Sequence, residues 1–342
     1  MAGFFIQLKI NMQNWGVKIS GYGAYLPGKA VSNEELKALY HLDFDAEKHA
    51  AITGIKYRHF GEASLTTSMM AAEAAKEALL CANVAAKDLG RIILGTQTAD
   101  YTNTAASCRV QNLIGANCPV GDTTASCSSF MYALDNALRL VATGCNKVML
   151  IGADMKSRNV RKSDKIFLPI FSDGAGAILL EKTDTSGGFL GIKLWADGSG
   201  FEDIIVPAGG SAMPASIDTI NNDLHGTLIN MEGKKMANFT ASIMANLASQ
   251  LCDELSIRIN DIDLFVPHQS NYYIMKKTAN ILGIPIHKME VSIDRVGNCI
   301  SGTIPITLHQ SYSRGRMKKG SIVLITAAGA GYTGGAAIYR CL

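Results

Sequence analysis

The feature that most constrains the fold of this chain is a set of unbroken apolar runs, each of which follows a helix-like segment. Residues 91–96 and 147–153 have the composition of strands that are buried on both faces of a sheet. The same order recurs in the second half, where helix-like segments precede the apolar runs 263–266 and 322–325. Because strands that alternate with helices form parallel-type sheets between helical layers, the sequence predicts an α/β fold.

The two halves of the chain repeat this order. Arg91 and Asp263, at the starts of two apolar runs, are 172 residues apart, and so are Cys127 and Cys299, a separation close to half the length of the chain. We therefore predict two duplicated αβαβ-type halves that a pseudo-two-fold axis relates. A segment rich in Thr, Ser, Asp and Gly divides them into an N-terminal half, 15–184, and a C-terminal half, 185–342.

Composition and charge exclude several classes of protein. The 342 residues are 48% hydrophobic and 18% charged, which suits a compact globule and excludes a disordered chain. The net charge of +3 is too near balance to argue for nucleic-acid binding, and no nucleic-acid partner is expected. No apolar run approaches the length of about 18 residues that a membrane-spanning helix needs.

The cysteines and the charged clusters indicate a compartment and a partner. Eight cysteines form no CxxC pair, so we expect reduced thiols in a cytoplasmic protein and no structural zinc. Residues 1–14 lack the cleavage site of a signal peptide and are interpreted as an extension.

Basic clusters are usually solvated but could bind an acidic carrier protein or a phosphate; they comprise Lys234, Lys235, Arg314, Arg316, Lys318 and Lys319.

A short polar run, 123–130, contains Cys127 and leads into a segment with apolar side chains at helical spacing, 131–141. Gly144 follows as a helix stop. This order predicts a strand, a tight turn and a helix, with a nucleophilic cysteine at the turn. Backbone N–H groups and the positive end of the helix dipole would lower the thiol pKa. A buried, unreactive cysteine is the alternative interpretation.

Two further segments have polar side chains where active sites collect in such folds. His268 follows the apolar run 263–266, and Asn298 lies in a glycine-flanked segment just before a helix-like one. Each alone could be ordinary, the histidine a structural residue and the Gly-Asn pair a turn. If pseudo-symmetry relates the halves, however, both segments and the Cys127 turn meet near the carboxyl ends of strands.

Seven short motifs extend this pattern over nearly the whole chain. They are Gly54-Ile55 before Arg58-His59, the Cys127 turn, Ser172-Asp173-Gly174-Ala175-Gly176-Ala177, Ala196-Asp197-Gly198-Ser199, Pro267-His268-Gln269, Gly297-Asn298 and Gly329-Ala330-Gly331-Tyr332-Thr333-Gly334-Gly335. In this order and spacing the sequence resembles the thiolase-fold β-ketoacyl-acyl-carrier-protein synthase III family. The resemblance implies a layered α-β-α-β-α arrangement with pseudo-two-fold symmetry.

The resemblance also implies a catalytic triad of Cys127, His268 and Asn298. Cys127 would accept an acyl group from a thioester, and its own N–H with that of Gly331 would form the oxyanion hole. His268 and Asn298 would stabilise the enolate formed when a malonyl thioester loses CO₂, and attack on the acyl group would give a 3-oxoacyl product. Further implied are acyl-CoA or acyl-carrier-protein substrates, no metal or cofactor, a homodimer, and a place in fatty-acid or specialised lipid or polyketide biosynthesis.

Other positions match the substrate tunnel of the family or depart from its pattern. Lys48, Ile52 and Tyr273 replace an adenine-stacking tryptophan and two basic residues, and Asn103 replaces a phenylalanine that the dimer partner lends to the acyl pocket. These departures favour a specialised enzyme over one primed by acetyl-CoA. The matching tunnel positions are Ile170, Phe171, Met231, Gly233, Ser270 and Asn271.

Three other functions stay open at this level. Cys127 could pass its acyl group to an alcohol or amine without decarboxylation, although that reaction would not need the Asn298 donor. A non-decarboxylating Claisen enzyme needs an acidic base; no glutamate lies between Gly95 and Cys127, but Asp100 keeps this possibility open. An inactive partner subunit would usually have lost the nucleophile, which this chain retains.

Overall fold

The structure is a computed structural model that describes residues 15–226, 228–229 and 232–342. Met231, expected in the tunnel, and the extension 1–14 lie outside the described residues. The strands are β1 (Val17–Tyr25), β2 (Val31–Ser32), β3 (Tyr57–Arg58), β4 (Arg91–Gly95), β5 (Val120–Thr123), β6 (Lys147–Met155), β7 (Asp173–Lys182), β8 (Gly188–Ala196), β9 (Ile204–Ile205), β10 (Leu228–Ile229), β11 (Leu264–Pro267), β12 (Ile322–Gly329) and β13 (Thr333–Arg340). The α-helices are α1 (Asn33–Tyr40), α2 (Ala46–Thr53), α3 (Thr67–Ala82), α4 (Ala106–Ile114), α5 (Ser129–Ala142), α6 (Ile217–Asn221), α7 (Gly233–Glu254), α8 (Tyr272–Leu282), α9 (Ile293–Val296) and α10 (Thr303–Ser313).

The strands form two main sheets with the same internal order. The first has the order β1-β7-β6-β4-β5 and the second the order β8-β13-β12-β11. In the first, β4 and β6 are parallel and β7 is antiparallel to both β6 and β1. In the second, β11 and β12 are parallel and β13 is antiparallel to both β12 and β8. Four strands of the first sheet thus have counterparts in the second, and the duplicated α/β fold is confirmed.

Each sheet contains both parallel and antiparallel pairs of strands. The expectation of parallel-type sheets is therefore wrong for the pairs that involve β7 and β13. After β6 the chain makes a short 3₁₀ turn, Lys156–Asn159, and a loop before β7 begins. Without a crossover helix, the next strand returns beside its neighbour in the opposite direction. The same holds between β12 and β13, which a tight loop joins.

Helices lie between the sheets and on both outer faces. α5 and α10 form the middle layer, where Leu134 and Leu308 belong to one core with side chains of both sheets. α3 and α4 cover the first sheet, and α7 and α8 cover the second. Neighbouring residues of β6 face opposite ways, since Val148 joins the central core and Met149 the outer one. This is the expected α-β-α-β-α arrangement.

The strands of the first sheet all lie within residues 17–182, and those of the second within 188–340. The boundary expected between 184 and 185 falls in the connection from β7 to β8. One hydrophobic core spans the interface of the two sheets, because α5 and α10 contribute to both. The division into domains 15–184 and 185–342 therefore stays a prediction.

Two glycines let the second half pack closely against the first. A Cβ on Gly152 in β6 would lie 2.2 Å from the carbonyl oxygen of Ser301. A Cβ on Gly176 in β7 would lie 2.5 Å from the backbone nitrogen of Ile306. Since no side chain tolerates such distances, only glycine allows α10 and the turn before it to approach β6 and β7. This approach brings the Asn298 segment to the carboxyl end of β6.

The structural repeat is offset from the sequence spacing. The 3₁₀ turns Ser126–Ser128 and Ile300–Gly302 precede α5 and α10, and the first residue of each has a positive φ, 50° and 51°. These turns pair Cys127 with Ser301. The expected pairing of Cys127 with Cys299 is therefore wrong, because connections in the two halves differ slightly in length.

The cysteines and other metal-binding side chains are dispersed. All eight cysteines are free thiols. In the part of the chain that the structure describes, His, Cys, Asp and Glu side chains form no cluster of three or more that could hold a metal ion. Over the same residues, none of the helices combines the length and the apolar character needed to cross a membrane.

Candidate active site

Cys127 lies in a tight turn between β5 and α5, as the sequence predicts. Ser126 has a φ of 50°, which is uncommon for a residue with a side chain. The Ser129 hydroxyl fastens the turn, since it donates to the Ser126 carbonyl at 2.6 Å and accepts from the Ala125 N–H at 2.9 Å. The Cys127 side chain therefore stands at the start of α5, half-buried and facing a cavity.

The position of Cys127 does not activate its thiol in the way that the sequence predicts. Protein surrounds the side chain except toward the cavity, and this burial raises the pKa of the thiol to about 12. The Lys156 ammonium and the backbone N–H of Cys127 lower the pKa, whereas the Asp154 carboxylate raises it. The expected lowering is therefore wrong, because desolvation outweighs the helix N-terminus. At neutral pH Cys127 is a thiol and needs a proton acceptor to react.

Alkylation should reveal this raised pKa. Because the thiolate is the reactive form, the rate of Cys127 labelling by iodoacetamide should rise about tenfold per pH unit between about pH 7 and 10, without a plateau. Mass spectrometry of the Cys127 peptide measures this rate, and the exposed Cys81 serves as an internal reference. A plateau that begins near neutral pH would contradict the raised pKa.

His268 lies just after β11 and is fully buried. Its backbone N–H donates to the Thr326 carbonyl at 2.7 Å, which holds it at the carboxyl end of the parallel strands. Nδ1 lies 2.6 Å from Oγ1 of Thr303, whereas Nε2 has no hydrogen-bond partner among the described residues. Burial lowers the pKa of the imidazole to about 3. The ring is therefore neutral at neutral pH.

The Thr303 hydroxyl determines which tautomer His268 adopts. It lies 2.9 Å from the carbonyl oxygen of Ile300 and 2.6 Å from Nδ1, and it has one proton to donate. When that proton points to Ile300, Nδ1 carries the ring proton and Nε2 is an acceptor. When it points to Nδ1, Nε2 carries the ring proton and is a donor. Rotation of one hydroxyl thus goes with an exchange of tautomers.

Asn298 is held with its amide in one orientation. The side-chain oxygen accepts from the Ile300 N–H at 2.9 Å, so the NH₂ group lies on the other side, 3.4 Å from the Ser270 carbonyl. Backbone bonds fix the residue further, because its N–H donates to Ile170 and its carbonyl accepts from the Ser172 N–H, both at 3.0 Å. The amide can therefore present a donor, and not an acceptor, to a ligand.

One cavity brings the three expected catalytic residues together. It measures about 180 Å³, roughly ten times the space that one water needs, and Cys127, His268 and Asn298 all line it. These residues belong to both halves of the chain, so their meeting depends on the close packing of the two sheets. Four of the expected tunnel residues line the same cavity, namely Ile170, Phe171, Ser270 and Asn271.

The glycine-rich loop after β12 forms the wall beside the nucleophile. A Cβ on Gly329 would lie 2.8 Å from the backbone nitrogen of Cys127, so the loop packs directly on the turn that carries the thiol. Ala330 lines the cavity and Gly331 does not. The expected contribution of Gly331 to the oxyanion hole thus does not fit the structure. A run of small residues leaves the register ambiguous by one position, and only the packing resolves it.

Two other expected substrate contacts lie outside the cavity. Gly233 is exposed at the start of α7, and the face of that helix toward the cavity presents Met236 and Thr240, one turn apart. Gly233 does not line this cavity, and its expected contact with the substrate stays a prediction. Asn103 is also exposed, so its expected role in the acyl pocket depends on a second copy of the chain.

Sequence reasoning missed several residues of the cavity. Lys156 directly follows β6, and this position at a strand end is the signal that could have found it. The apolar residues gave no signal, because nothing in the sequence distinguishes them from core residues. They include Phe167, Ile204, Ile205, Val206, Met236, Ile274 and Ile300.

Asp100 has a structural role and does not line the cavity. Its carboxylate accepts from the Ser68 N–H at 2.9 Å and from the Ser68 hydroxyl at 2.5 Å, and it pairs with Arg109 at 3.0 Å. Burial raises the pKa of Asp100, but these bonds outweigh it and hold the pKa below its usual value. A carboxylate that is held in this way is a poor base, which weakens the non-decarboxylating alternative.

The duplicated fold and the cavity, with a cysteine at a helix start facing a histidine and an asparagine, define a thiolase-like condensing enzyme. The structure is similar to that of 3-oxoacyl-[acyl-carrier-protein] synthase III from Aquifex aeolicus VF5, with a TM-score of 0.86 and 32% sequence identity, covering 95% of this chain and 99% of that chain. Models of the 3-oxoacyl-[acyl-carrier-protein] synthase III family match residues 121–198, and of its C-terminal region residues 252–341.

Curated relatives agree with the structural comparison. The β-ketoacyl-[acyl-carrier-protein] synthase III of Solibacter usitatus is 38% identical over 328 residues, which cover 94% of this chain and 98% of the relative. That of Clostridioides difficile is 36% identical over 324 residues, which cover 94% and 97%. The chain therefore belongs to the β-ketoacyl-acyl-carrier-protein synthase III family of condensing enzymes.

Proposed function

We propose that this chain catalyses the decarboxylative Claisen condensation of an acyl thioester with a malonyl thioester to give a 3-oxoacyl product. One observation carries the proposal: a thiol, an unpaired imidazole nitrogen and an oriented amide donor line one cavity. These groups belong to Cys127, His268 and Asn298. Each has a distinct task in such a reaction.

In the first half-reaction the acyl group moves from the donor thioester to Sγ of Cys127. In the tautomer with the proton on Nδ1, Nε2 of His268 accepts the thiol proton while Sγ attacks the thioester carbonyl, and the proton then passes to the departing thiolate, so that no separate imidazolium–thiolate pair forms. The raised pKa of the Cys127 thiol makes this acceptor necessary. The N–H groups of Cys127 and Ala330 stabilise the oxyanion.

In the second half-reaction Nε2 carries the proton, and with the Asn298 NH₂ group it donates to the thioester oxygen of the malonyl substrate. The bond to the carboxylate breaks, CO₂ leaves, and the electron pair forms an enolate that two neutral donors stabilise. The enolate carbon attacks the acyl carbonyl and the bond to Sγ breaks. Cys127 leaves as a thiolate and takes up a proton from solvent.

Two alternative functions account less well for the site. An acyltransferase that uses an alcohol or amine would need Cys127 and a base, but it would leave the fixed Asn298 amide without a task. An inactive partner subunit would need neither an accessible thiol nor a cavity that leads to it.

We propose an acyl carrier protein as a partner, docked at the start of α7. Lys234 and Lys235 are exposed there, within two residues of Met236, which lines the cavity. Such a position would bring an acidic carrier close to the site. The other basic cluster is less suited, since Arg314 and Arg316 both pair with Glu290, at 2.9 and 2.5 Å.

We further propose a cytoplasmic homodimer that needs no metal or cofactor. Each proposed step uses only groups of the protein. Eight free thiols suit a reducing compartment. The exposed Asn103 would reach the acyl pocket of a second copy, as the family resemblance implies.

Acyl transfer and CO₂ release test the proposed function in separate steps. Incubation with acyl thioesters of increasing chain length should add one acyl mass to the Cys127 peptide, and Cys127→Ala should abolish it. A malonyl thioester should then discharge the acyl group with release of CO₂. Discharge without CO₂ would support the acyltransferase, and no labelling at any chain length would support the inactive subunit.

A further inference from the structure

A buried lysine lies in the cavity without a partner. Lys156 is 4% exposed and lines the cavity beside Cys127, whose thiol it influences electrostatically. Within the described residues, its ammonium makes neither a hydrogen bond nor an ion pair. Nζ lies 5.4 Å from the centre of the Phe171 ring, a contact that stabilises a cation less than an ion pair does. A buried ammonium is costly unless a charge pairs with it.

The carboxylate that attracts Lys156 is already occupied by other donors. Burial lowers the pKa of Lys156, and the Asp154 carboxylate, two residues before it, opposes this shift through space. Its two oxygens already accept four hydrogen bonds of 2.8–3.1 Å, from the Thr96 hydroxyl, the Gln97 N–H, the Thr98 hydroxyl and the Ser301 N–H. Asp154 therefore joins the two halves of the protein, and the Lys156 ammonium faces the cavity.

The sulfur of Cys127 does not supply the missing charge. It is a neutral thiol in the free enzyme, since burial raises its pKa, and a neutral thioester once it is acylated. In the acyl-enzyme, Lys156 thus faces the acyl chain itself. An apolar chain would pack against an unpaired cation, whereas an anionic chain would pair with it.

We propose that the acyl group accepted by this enzyme carries a carboxylate, and that Lys156 binds it. The donor is then a thioester of a dicarboxylic acid, with one carboxyl group in the thioester and the other free. Gln97, whose backbone bonds to Asp154, adds a second polar group to this part of the lining, and Phe167 and Ile170 surround methylene groups. The inference rests on the proposed function, because it names the acyl group that Cys127 receives.

Lys156 has one rival role, which is to stabilise the Cys127 thiolate as it forms. In that role it would speed acylation by every donor to the same extent. A role in carboxylate binding instead changes the ratio of rates between anionic and apolar donors. This ratio is therefore the quantity to measure.

Matched pairs of donors give the ratio. Succinyl-, glutaryl- and adipyl-CoA have apolar isosteres in which two methyl groups replace the carboxylate oxygens: 4-methylpentanoyl-, 5-methylhexanoyl- and 6-methylheptanoyl-CoA. Mass spectrometry of the Cys127 peptide measures each initial rate of acylation. For at least one pair, the wild type should prefer the carboxylate by roughly tenfold or more, and Lys156→Met should shift the ratio by roughly 30-fold toward the isostere.

Two variants serve as controls. Lys156→Arg keeps the charge and should keep the preference for the carboxylate. Lys162→Met removes an exposed lysine whose Nζ also lies near an aromatic ring, 5.5 Å from that of Tyr40, but which does not line the cavity. It should leave the ratio unchanged.

The outcomes separate this inference from the proposed function. If the wild type prefers the isostere in all three pairs, the inference fails while the proposed function stands, because Cys127 is still acylated. The inference is also overturned if Lys156→Met leaves the ratio of rates unchanged, whether or not the variant reacts more slowly with both donors. No acylation by any thioester overturns the proposed function and the inference with it.

A second measurement needs no suitable acyl chain. Iodoacetate and iodoacetamide differ by one carboxylate, so the ratio of their rates reports a cation close to the alkylated sulfur. This ratio should be several-fold higher at Cys127 than at the exposed Cys81 of the same protein. A ratio at Cys127 no higher than at Cys81 would overturn the inference. Because the wild type alone decides this comparison, it stays valid if Lys156→Met does not fold.

Discussion

Replacing Asn298 with aspartate should lower the rate of malonyl decarboxylation by a factor of about 10²–10³ and leave acylation of Cys127 nearly unchanged. The two side chains have the same shape, so aspartate can still accept the Ile300 N–H bond, which is 2.9 Å long. Aspartate has no NH₂ donor for the enolate oxygen and places a negative charge beside it. Release of CO₂ measures the rate of decarboxylation, and the acyl mass on Cys127 measures the rate of acylation.

Two more variants complete this test. Asn298→Ala removes the donor without adding a charge and should slow decarboxylation by a similar factor, although it also leaves the Ile300 N–H without its acceptor. Asn280→Asp makes the same chemical change at an exposed position of α8 and should alter neither step. An unchanged rate of CO₂ release in Asn298→Asp would exclude the amide as an enolate donor.

Adding one methyl group at Gly329 should slow acylation of Cys127 by a factor of about 10² or more. The new Cβ would lie 2.8 Å from the backbone nitrogen of Cys127 and 3.0 Å from that of Ser128. Because backbone atoms cannot yield as a flexible side chain does, the turn must shift and carry the Cys127 N–H with it. The oxyanion hole would then lose its geometry.

The rate of acyl labelling measures this effect, and thermal unfolding shows whether the variant is folded. Gly210→Ala is the matched control, because a Cβ there meets no atom within 4 Å and the backbone has no positive φ. That variant should label at the rate of the wild type. Wild-type labelling in a folded Gly329→Ala variant would contradict the tight packing of the loop against the turn.

The elements of the fold were largely predictable from residue pattern. The apolar runs 91–96 and 147–153 form β4 and β6, and the segment after Cys127 forms α5. These elements are buried in the interior, so their composition alone distinguishes them from the surface. The direction of β7 was not predictable in the same way, because it depends on the length and path of a connection that has no periodicity.

The candidate site likewise contains residues that were predictable from the sequence and residues that were not. Cys127, His268 and Asn298 were visible because reactive side chains stood beside buried strands and glycine turns. The choice of Ala330 over Gly331, and the exposure of Gly233, depend on which way a loop residue or the first residue of a helix faces. A sequence of small residues carries no information about that direction.

The sequence by itself determined the alternation of strands and helices, the duplication and the three reactive side chains, since these follow from local composition and order. Only the tertiary structure decided the ionisation of the site and its charge balance. Burial raises the pKa of the Cys127 thiol and lowers that of the His268 imidazole, and it places Lys156 in the lining of the cavity beside Cys127. The physical reason is that desolvation is a property of all the atoms around a group, which residues far apart in the chain supply together.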